Sequence, residues 1–242
     1  MPRHLRSVFA NVPHHVTQRG NHRELVFFSP GDQETYLLLL RDYAIQHQVE
    51  VVAYCLMPNH VHLVVVPPSA DALYRMLKAV HGRYAQRINR MRQLKGHLWQ
   101  GRYFSSALDT DYYRNAVRYV ELNPVRAGLV DRAEDFHWSS AAAHCGMRSD
   151  PVVRAKPQSI AFADIADWSL WLAQGLATDV SEILRRNSLK DLPCGSDSFV
   201  TELEHIAGRM LRHKPAGRKR IACNALDGQG NLLPEESGSD PF

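Results

Sequence analysis

Two adjacent runs of β-forming residues constrain this chain most. Residues 50–56 (EVVAYCL) and 60–66 (HVHLVVV) are separated only by Met57-Pro58-Asn59, and Pro67-Pro68 closes the second run. Such runs, bounded by turn residues, read as strands. The short Pro-Asn break joins them as a hairpin. Side chains alternate along a strand, so Val61 and Leu63 point to one face, into a core under helices, and His60 and His62 point to the other.

The flanking sequence supplies the remaining elements. Residues 14–18 (HHVTQ) predict a short strand ending at Arg19-Gly20-Asn21, followed by the apolar run 25–28. Tyr36, Leu37, Leu40, Tyr43 and Ala44 recur at helical spacing within 31–48, with Asp32 as the expected N-cap. Residues 70–91 form a longer helix. Leu73, Leu77, Val80, Tyr84, Ile88 and Met91 mark its apolar face, and Arg75, Lys78, Arg83, Arg87 and Arg90 lie mostly elsewhere. Residues 99–108 suggest another strand, and 110–122 a helix that stops at Asn123-Pro124. The order β-α-β-β-α-β-α predicts an α+β fold of the ferredoxin-like, split βαβ kind: an antiparallel sheet with helices on one face.

After residue 148 the character changes. Helices are expected within 160–176, which includes Trp168, Trp171 and Leu172, within 180–186, and within 196–212, anchored by Phe199, Leu203, Ile206 and Leu211. Residues 209–220 carry six Lys/Arg and no acid. The expected organisation is a main domain over 1–148, a small helical, basic C-terminal extension over 149–221, and a disordered tail over 222–242.

Composition narrows the function classes. The 242 residues are 45% hydrophobic, enough for one good core. No apolar run approaches the ~20 residues of a membrane span, and residues 1–10 lack the apolar stretch of a signal peptide. Cys55, Cys145, Cys194 and Cys223 form no C-x-x-C pair, which argues against a zinc or disulfide framework and suits a reducing cytoplasm. The net charge of +4 is mildly basic and by itself compatible with an ordinary solvated surface.

The histidines carry more. Two imidazoles on one face of a strand make a two-ligand metal arrangement, although two unrelated histidines on a half-exposed strand give the same pattern. A metal that acts on a phosphodiester also needs oxygen ligands, open positions and a nearby nucleophile. Tyr119 and Asn123 are one helical turn apart and share a face. The Asn123 carbonyl can complete a His60/His62/Asn123 site, and Tyr119 can present its phenol beside it. Tyr112 and Tyr113 lie about two turns earlier, and neither has a polar residue four positions later.

The stretches MPNHVHLVVVP (57–67), GHLWQGRYFSSAL (96–108) and YVELNPVRAGLV (119–130) together resemble the single-tyrosine HUH transposases, and more narrowly the REP-associated tyrosine transposases. HHVTQRGNHRE (14–24) and Phe136-His137-Trp138-Ser139-Ser140 extend the resemblance over roughly residues 8–145. It implies His60 and His62 as metal ligands and Tyr119 as the nucleophile on DNA. It also implies Asn123 as third ligand, where the wider family often has Gln. The implied partners are single-stranded, hairpin DNA of the repetitive extragenic kind and a divalent ion, Mg2+ or Mn2+. The expected protein is cytoplasmic, a monomer or homodimer, with no membrane partner.

The activity these readings imply is metal-dependent nicking and joining of single-stranded DNA through a 5′-phosphotyrosine bond. Expected DNA contacts are Arg83, Arg87, Arg90, Arg102 and Arg126 on phosphates, Trp99 and Tyr103 stacked on bases, and Arg218, Lys219 and Arg220 in the basic tail. Two other classes compete. One is a non-catalytic regulator that binds hairpin nucleic acid on the same fold. The other is a hydrolytic metallonuclease in which the tyrosine is incidental.

Overall fold

The computed structural model describes residues 7–212. Four antiparallel strands form the sheet: β1 (His14–Arg19), β2 (Glu50–Met57), β3 (His60–Val66) and β4 (Phe104–Ala107). Their order across the sheet is β2-β3-β1-β4, the ferredoxin-like arrangement expected from the element order. Helix α1 (Pro30–His47) connects β1 to β2, α2 (Ala70–Arg92) connects β3 to β4, and α3 (Thr110–Glu121) follows β4. The short α4 (Asn123–Arg126) and α5 (Ala141–His144) come next, then α6 (Trp168–Ala173), α7 (Thr178–Ser188) and α8 (Asp197–Ala207).

Several boundaries shift for local reasons. Ser29, not Asp32, is the N-cap of α1. Asp32 sits at the third helical position, where its carboxylate accepts from the backbone N–H groups of Ser29 and Phe28, both at 3.0 Å. The strand expected over 99–108 is regular only from Phe104, while Trp99 makes one isolated bridge to Gly20. The α3 helix ends at Glu121, but Leu122 keeps a helical backbone and α4 starts at once, because Pro124 is tolerated in a first turn.

Strand alternation sorts the sheet into two cores. Val16, Tyr54, Leu56, Val61, Leu63 and Val65 face α1 and α2, where Tyr36, Leu40, Leu73, Leu77, Val80 and Tyr84 cover them. The expectation of helices on one face holds for this pair. The opposite face is covered as well: Ala53, Cys55, Met57 and Val64 pack with Ala116, Val117, Tyr119 and Val120 of α3 and with Phe162, Trp168, Trp171, Leu172 and Leu184 from the segment after residue 148. That segment is helical in part, as expected, though 160–176 breaks into a 3-10 turn (Ile160–Phe162) and α6.

Later chain also covers both outer edges of the sheet. Trp138 and Ser140 hydrogen-bond the backbone of Leu56 and Tyr54 on β2, while Asp191, Leu192 and Cys194 engage Ser105, Ser106, Ala107 and Asp109 beside β4. Unpaired edges are templates for unwanted strand pairing, and coverage removes that hazard. Among the described residues no helix is long and apolar enough to cross a membrane.

Candidate metal and nucleophile centre

The site lies on the α3 face of the sheet. His60 and His62 leave β3 on that face, with ring centroids 4.9 Å apart. Antiparallel pairing puts Arg19 and Thr17 of β1 opposite them, and Met57 and Cys55 of β2 on the other side. Helix α3 crosses this face and lowers Tyr119 onto the histidines. The Tyr119 ring lies 5.8 Å from His62 and 5.6 Å from His15, edge-on to both. The two ligand candidates and the nucleophile candidate are therefore neighbours.

Each histidine has one nitrogen engaged. His60 Nδ1 lies 2.6 Å from Asn59 Oδ1, and the Asn59 amide nitrogen donates to the Arg23 carbonyl at 3.0 Å. That second bond fixes which way the amide points, so His60 Nδ1 is the donor and Nε2 carries the lone pair. His62 Nδ1 lies 2.9 Å from His15 Nε2. His15 Nδ1 lies 2.7 Å from Ser188 Oγ.

Burial keeps these imidazoles neutral. It lowers His60 from 6.5 to about 4, with a further push from Arg19. It lowers His15 to about 3, helped by Arg126. His62 is held well below its ordinary value by burial first, then by His60, His15, Arg126 and Arg19. Neutral imidazole is the form that binds metals. The adjacent Cys55 thiol is pushed up by burial, which keeps it protonated and out of any ligand set.

Two neutral imidazoles on one face of a strand suit a divalent metal ion. Among the described residues no group of three or more His, Cys, Asp or Glu is placed to hold a metal. Asn123 is buried at the start of α4, and its amide nitrogen has no hydrogen-bond partner. A buried amide left unsatisfied is costly, and exchanging its oxygen and nitrogen by a flip would offer an oxygen instead. The structure shows no hydrogen bond from Asn123 to either histidine.

The expected DNA contacts divide. The Arg126 guanidinium lies 3.7 Å from the centre of the Tyr119 ring, at the centre itself. Arg83, Arg87 and Arg90 are exposed on α2, which packs on the opposite face of the sheet from the histidines. Arg83 lies against the Tyr43 ring, 5.6 Å from its centre. Arg102 is exposed. Trp99 and Tyr103 are corrections: both are buried in the α1–α2 core, and Trp99 Nε1 donates to the His81 carbonyl at 3.0 Å, so neither ring is offered to a base. Arg218, Lys219, Arg220 and the tail 222–242 lie outside the described residues.

His15, Ser188, Asn59 and Arg19 are members of the site that the sequence did not single out. His15 had a signal. It stands in the HHVTQ strand, and pairing that strand beside β3 places it on the face of His62. Ser188 had none, since only the tertiary fold brings α7 to β1. Of the other tyrosines, Tyr113 packs edge-on against Phe162 at 5.0 Å in the second core and Tyr112 is only half-buried.

Residues 8–123, just under half of the chain, match the family model described as "Transposase IS200 like". The chain is similar to a Haemophilus influenzae protein named as a REP-associated tyrosine transposase, with 29% identity over 102 residues, 38% of this chain and 58% of the relative. The chain thus spans little more than half the length of that relative. It also shares its fold with a solved REP-associated tyrosine transposase bound to a REP hairpin, at 19% identity and a TM-score of 0.51, covering 69% of this chain and 97% of that one.

Proposed function

We propose that the chain cuts and rejoins single-stranded hairpin DNA of the REP kind through a 5′-phosphotyrosine bond on Tyr119. The observation that carries this reading is the packing of Tyr119 against His62, with Arg126 on its ring. His60, His62 and Asn123 would hold a divalent cation, Mg2+ or Mn2+, which when bound polarises the scissile phosphate and offsets its charge.

The chain's own residues set up an in-line displacement. The Tyr119 hydroxyl oxygen attacks phosphorus and forms the new P–O bond. The bond from phosphorus to the 3′ oxygen breaks, and that oxygen takes up a proton as the phenol gives one up. The ester is conserved, so attack by a 3′-hydroxyl on the phosphotyrosine reverses the step and joins strands without a nucleotide cofactor. Arg126 and Arg19, whose charges already act on the histidines, provide guanidiniums for the phosphate. The exposed arginines of α2 would track more distant parts of the strand, and residues 149–221 would add DNA contacts of their own.

The test is a denaturant-resistant adduct between the protein and a labelled hairpin oligonucleotide in Mn2+. An adduct that persists in Tyr119→Phe, or a wild-type protein that binds the hairpin without forming one, rejects the tyrosine mechanism. The second result favours the non-catalytic binder. A packing of Tyr119 away from the histidines would have pointed the same way, and the fold does not have it.

A further inference from the structure

We infer that Ser188 and His15 form a hydrogen-bonded relay that fixes the proton of His62 on Nδ1, making helix α7 a working part of the metal centre. The inference rests on the metal-binding role proposed above for His60 and His62. It assigns positioning roles to two residues, one of them far outside the stretch 8–123 that matches the family model.

The chain of contacts is continuous and buried. Ser188 Oγ lies 2.7 Å from His15 Nδ1, and His15 Nε2 lies 2.9 Å from His62 Nδ1. Ser188 is 2% exposed and His15 is 0% exposed, so water does not compete for these bonds. The His15 and His62 rings are nearly parallel, 11° apart, which keeps both ring edges aligned for the bond between them. A buried polar group without its partner is costly, so each link holds the next in place.

A neutral imidazole has one N–H, so the relay has two possible directions. In one, His62 Nδ1–H donates to His15 Nε2 and His15 Nδ1–H donates to Ser188 Oγ. His62 Nε2 is then a bare lone pair. In the other, Ser188 donates inward and His62 carries its proton on Nε2, where it repels a cation. His60 selects between them. Asn59 fixes its proton on Nδ1 and leaves Nε2 bare, and among the described residues no protein hydrogen bond reaches Nε2 of either ring. Only the first direction gives two matching Nε2 donors on one face. Both ligands are then backed by a hydrogen-bond acceptor, the arrangement that orients metal-bound imidazoles.

Occupation of both His15 nitrogens also separates it from Tyr119 chemistry. His15 touches the Tyr119 ring but has no free lone pair to take the phenol proton. It is a positioning residue, not a base.

The test uses the full chain. Long-range 1H–15N spectra of the metal-free wild type read each imidazole tautomer without any substitution. His15, His60 and His62 are all expected to carry the proton on Nδ1, and a His62 proton on Nε2 overturns the relay. Titration with Mn2+ then reads the consequence. His15→Phe keeps a ring and removes both nitrogens, and it is expected to weaken Mn2+ binding about 10- to 100-fold. His15→Gln, whose amide oxygen can accept from His62, is expected to recover most of the affinity. Ser188→Ala should lose less, in the same direction. Wild-type affinity in a folded His15→Phe protein overturns the inference alone. A wild type that binds no Mn2+ while His62 is protonated on Nδ1 overturns the metal reading and leaves the relay standing.

Discussion

The Arg126 guanidinium stacks on the Tyr119 ring at 3.7 Å, so the side chain proposed as nucleophile is in direct contact with a positive charge. Arg126 is exposed, and a cation–π contact at an exposed site is worth about 0.5–1 kcal/mol. The contact is therefore a minor support for the fold. Its value lies in holding a charge where a phosphate must approach. Arg126→Ala is expected to slow adduct formation about 100- to 1,000-fold, by analogy with loss of one charge-stabilising donor. Melting should change little. Unaltered adduct rates would show that the guanidinium only covers the ring.

Tyr119→Phe separates binding from chemistry. The ring stays, its contacts with His15, His62 and Arg126 stay, and only the hydroxyl is lost. Cleavage and adduct formation should fall by on the order of 10^4-fold or more, with hairpin affinity within a factor of about two, since among the described residues no hydrogen bond uses that hydroxyl. Gel-shift and adduct assays on one preparation check both halves. Strong loss of hairpin binding would mean that the phenol contacts DNA in the ground state.

Metal dependence should follow Asn123 as well as the histidines. Chelation is expected to abolish adduct formation, and added Mn2+ to restore it. Asn123→Ala removes an oxygen donor and should raise the Mn2+ concentration needed by about 10-fold or more. Asn123→Asp keeps an oxygen and should retain metal-dependent activity. If Asn123→Ala needs no more Mn2+ than wild type, the third ligand lies elsewhere.

Much of this architecture was readable, and the gaps have physical causes. Val61, Leu63, His60 and His62 were sorted correctly because strand alternation is local. Tyr119 and Asn123 were paired by helix spacing, which is local too. His15 was missed although its strand was recognised, because its role depends on the register of β1 against β3. Trp99 and Tyr103 were misread because an aromatic residue in a short polar stretch looks the same whether it stacks on a base or fills a core. Their burial is decided by α1 and α2, tens of residues away. The aromatic residues around Trp168 signalled a helix, yet nothing local said that they complete the second face of the sheet.

Stability should depend on pH through the same histidines. In the folded, metal-free chain His60 and His14 sit at about 4 and His15 at about 3, against 6.5 when free, chiefly because they are buried. As pH falls below 6.5 the unfolded chain takes up protons that the folded chain refuses. Their contribution is therefore complete above pH 6.5 and is lost progressively as pH falls toward 4 and 3. Each contributes up to about 1.4 kcal/mol per pH unit within that window. Urea denaturation at pH 7.5, 6 and 5 should show the decline above the range where ordinary carboxylates, near 4, titrate. A folded His15→Phe protein should show a shallower decline. A slope identical to wild type would mean that His15 is protonated in the native state.

Truncation tests whether the segment after residue 148 is separable. Phe162, Ile165, Trp168, Trp171, Leu172 and Leu184 all pack in the core that backs α3. Glu121, at the end of α3, is buried and accepts from Trp168 Nε1 at 2.7 Å on one oxygen and from Ser140 Oγ and His144 Nδ1, at 2.5 and 2.6 Å, on the other. Removing residues 149–242 exposes the aromatic face of α3, strips the Trp168 donor from a buried carboxylate and takes Ser188 from His15. Leaving a buried polar group without its donor costs about 1–3 kcal/mol, and the exposed apolar face adds to that loss against the 5–15 kcal/mol by which domains are stable. A chain ending at residue 148 is expected to be insoluble or to lack a cooperative melt. Trp168→Phe, which keeps the packing and removes the donor, is expected to lower stability by about 1–3 kcal/mol. A soluble 1–148 fragment with a cooperative transition and wild-type Mn2+ affinity would show that the extension is an independent DNA-binding addition, and would overturn the assignment of its buried face to the catalytic fold.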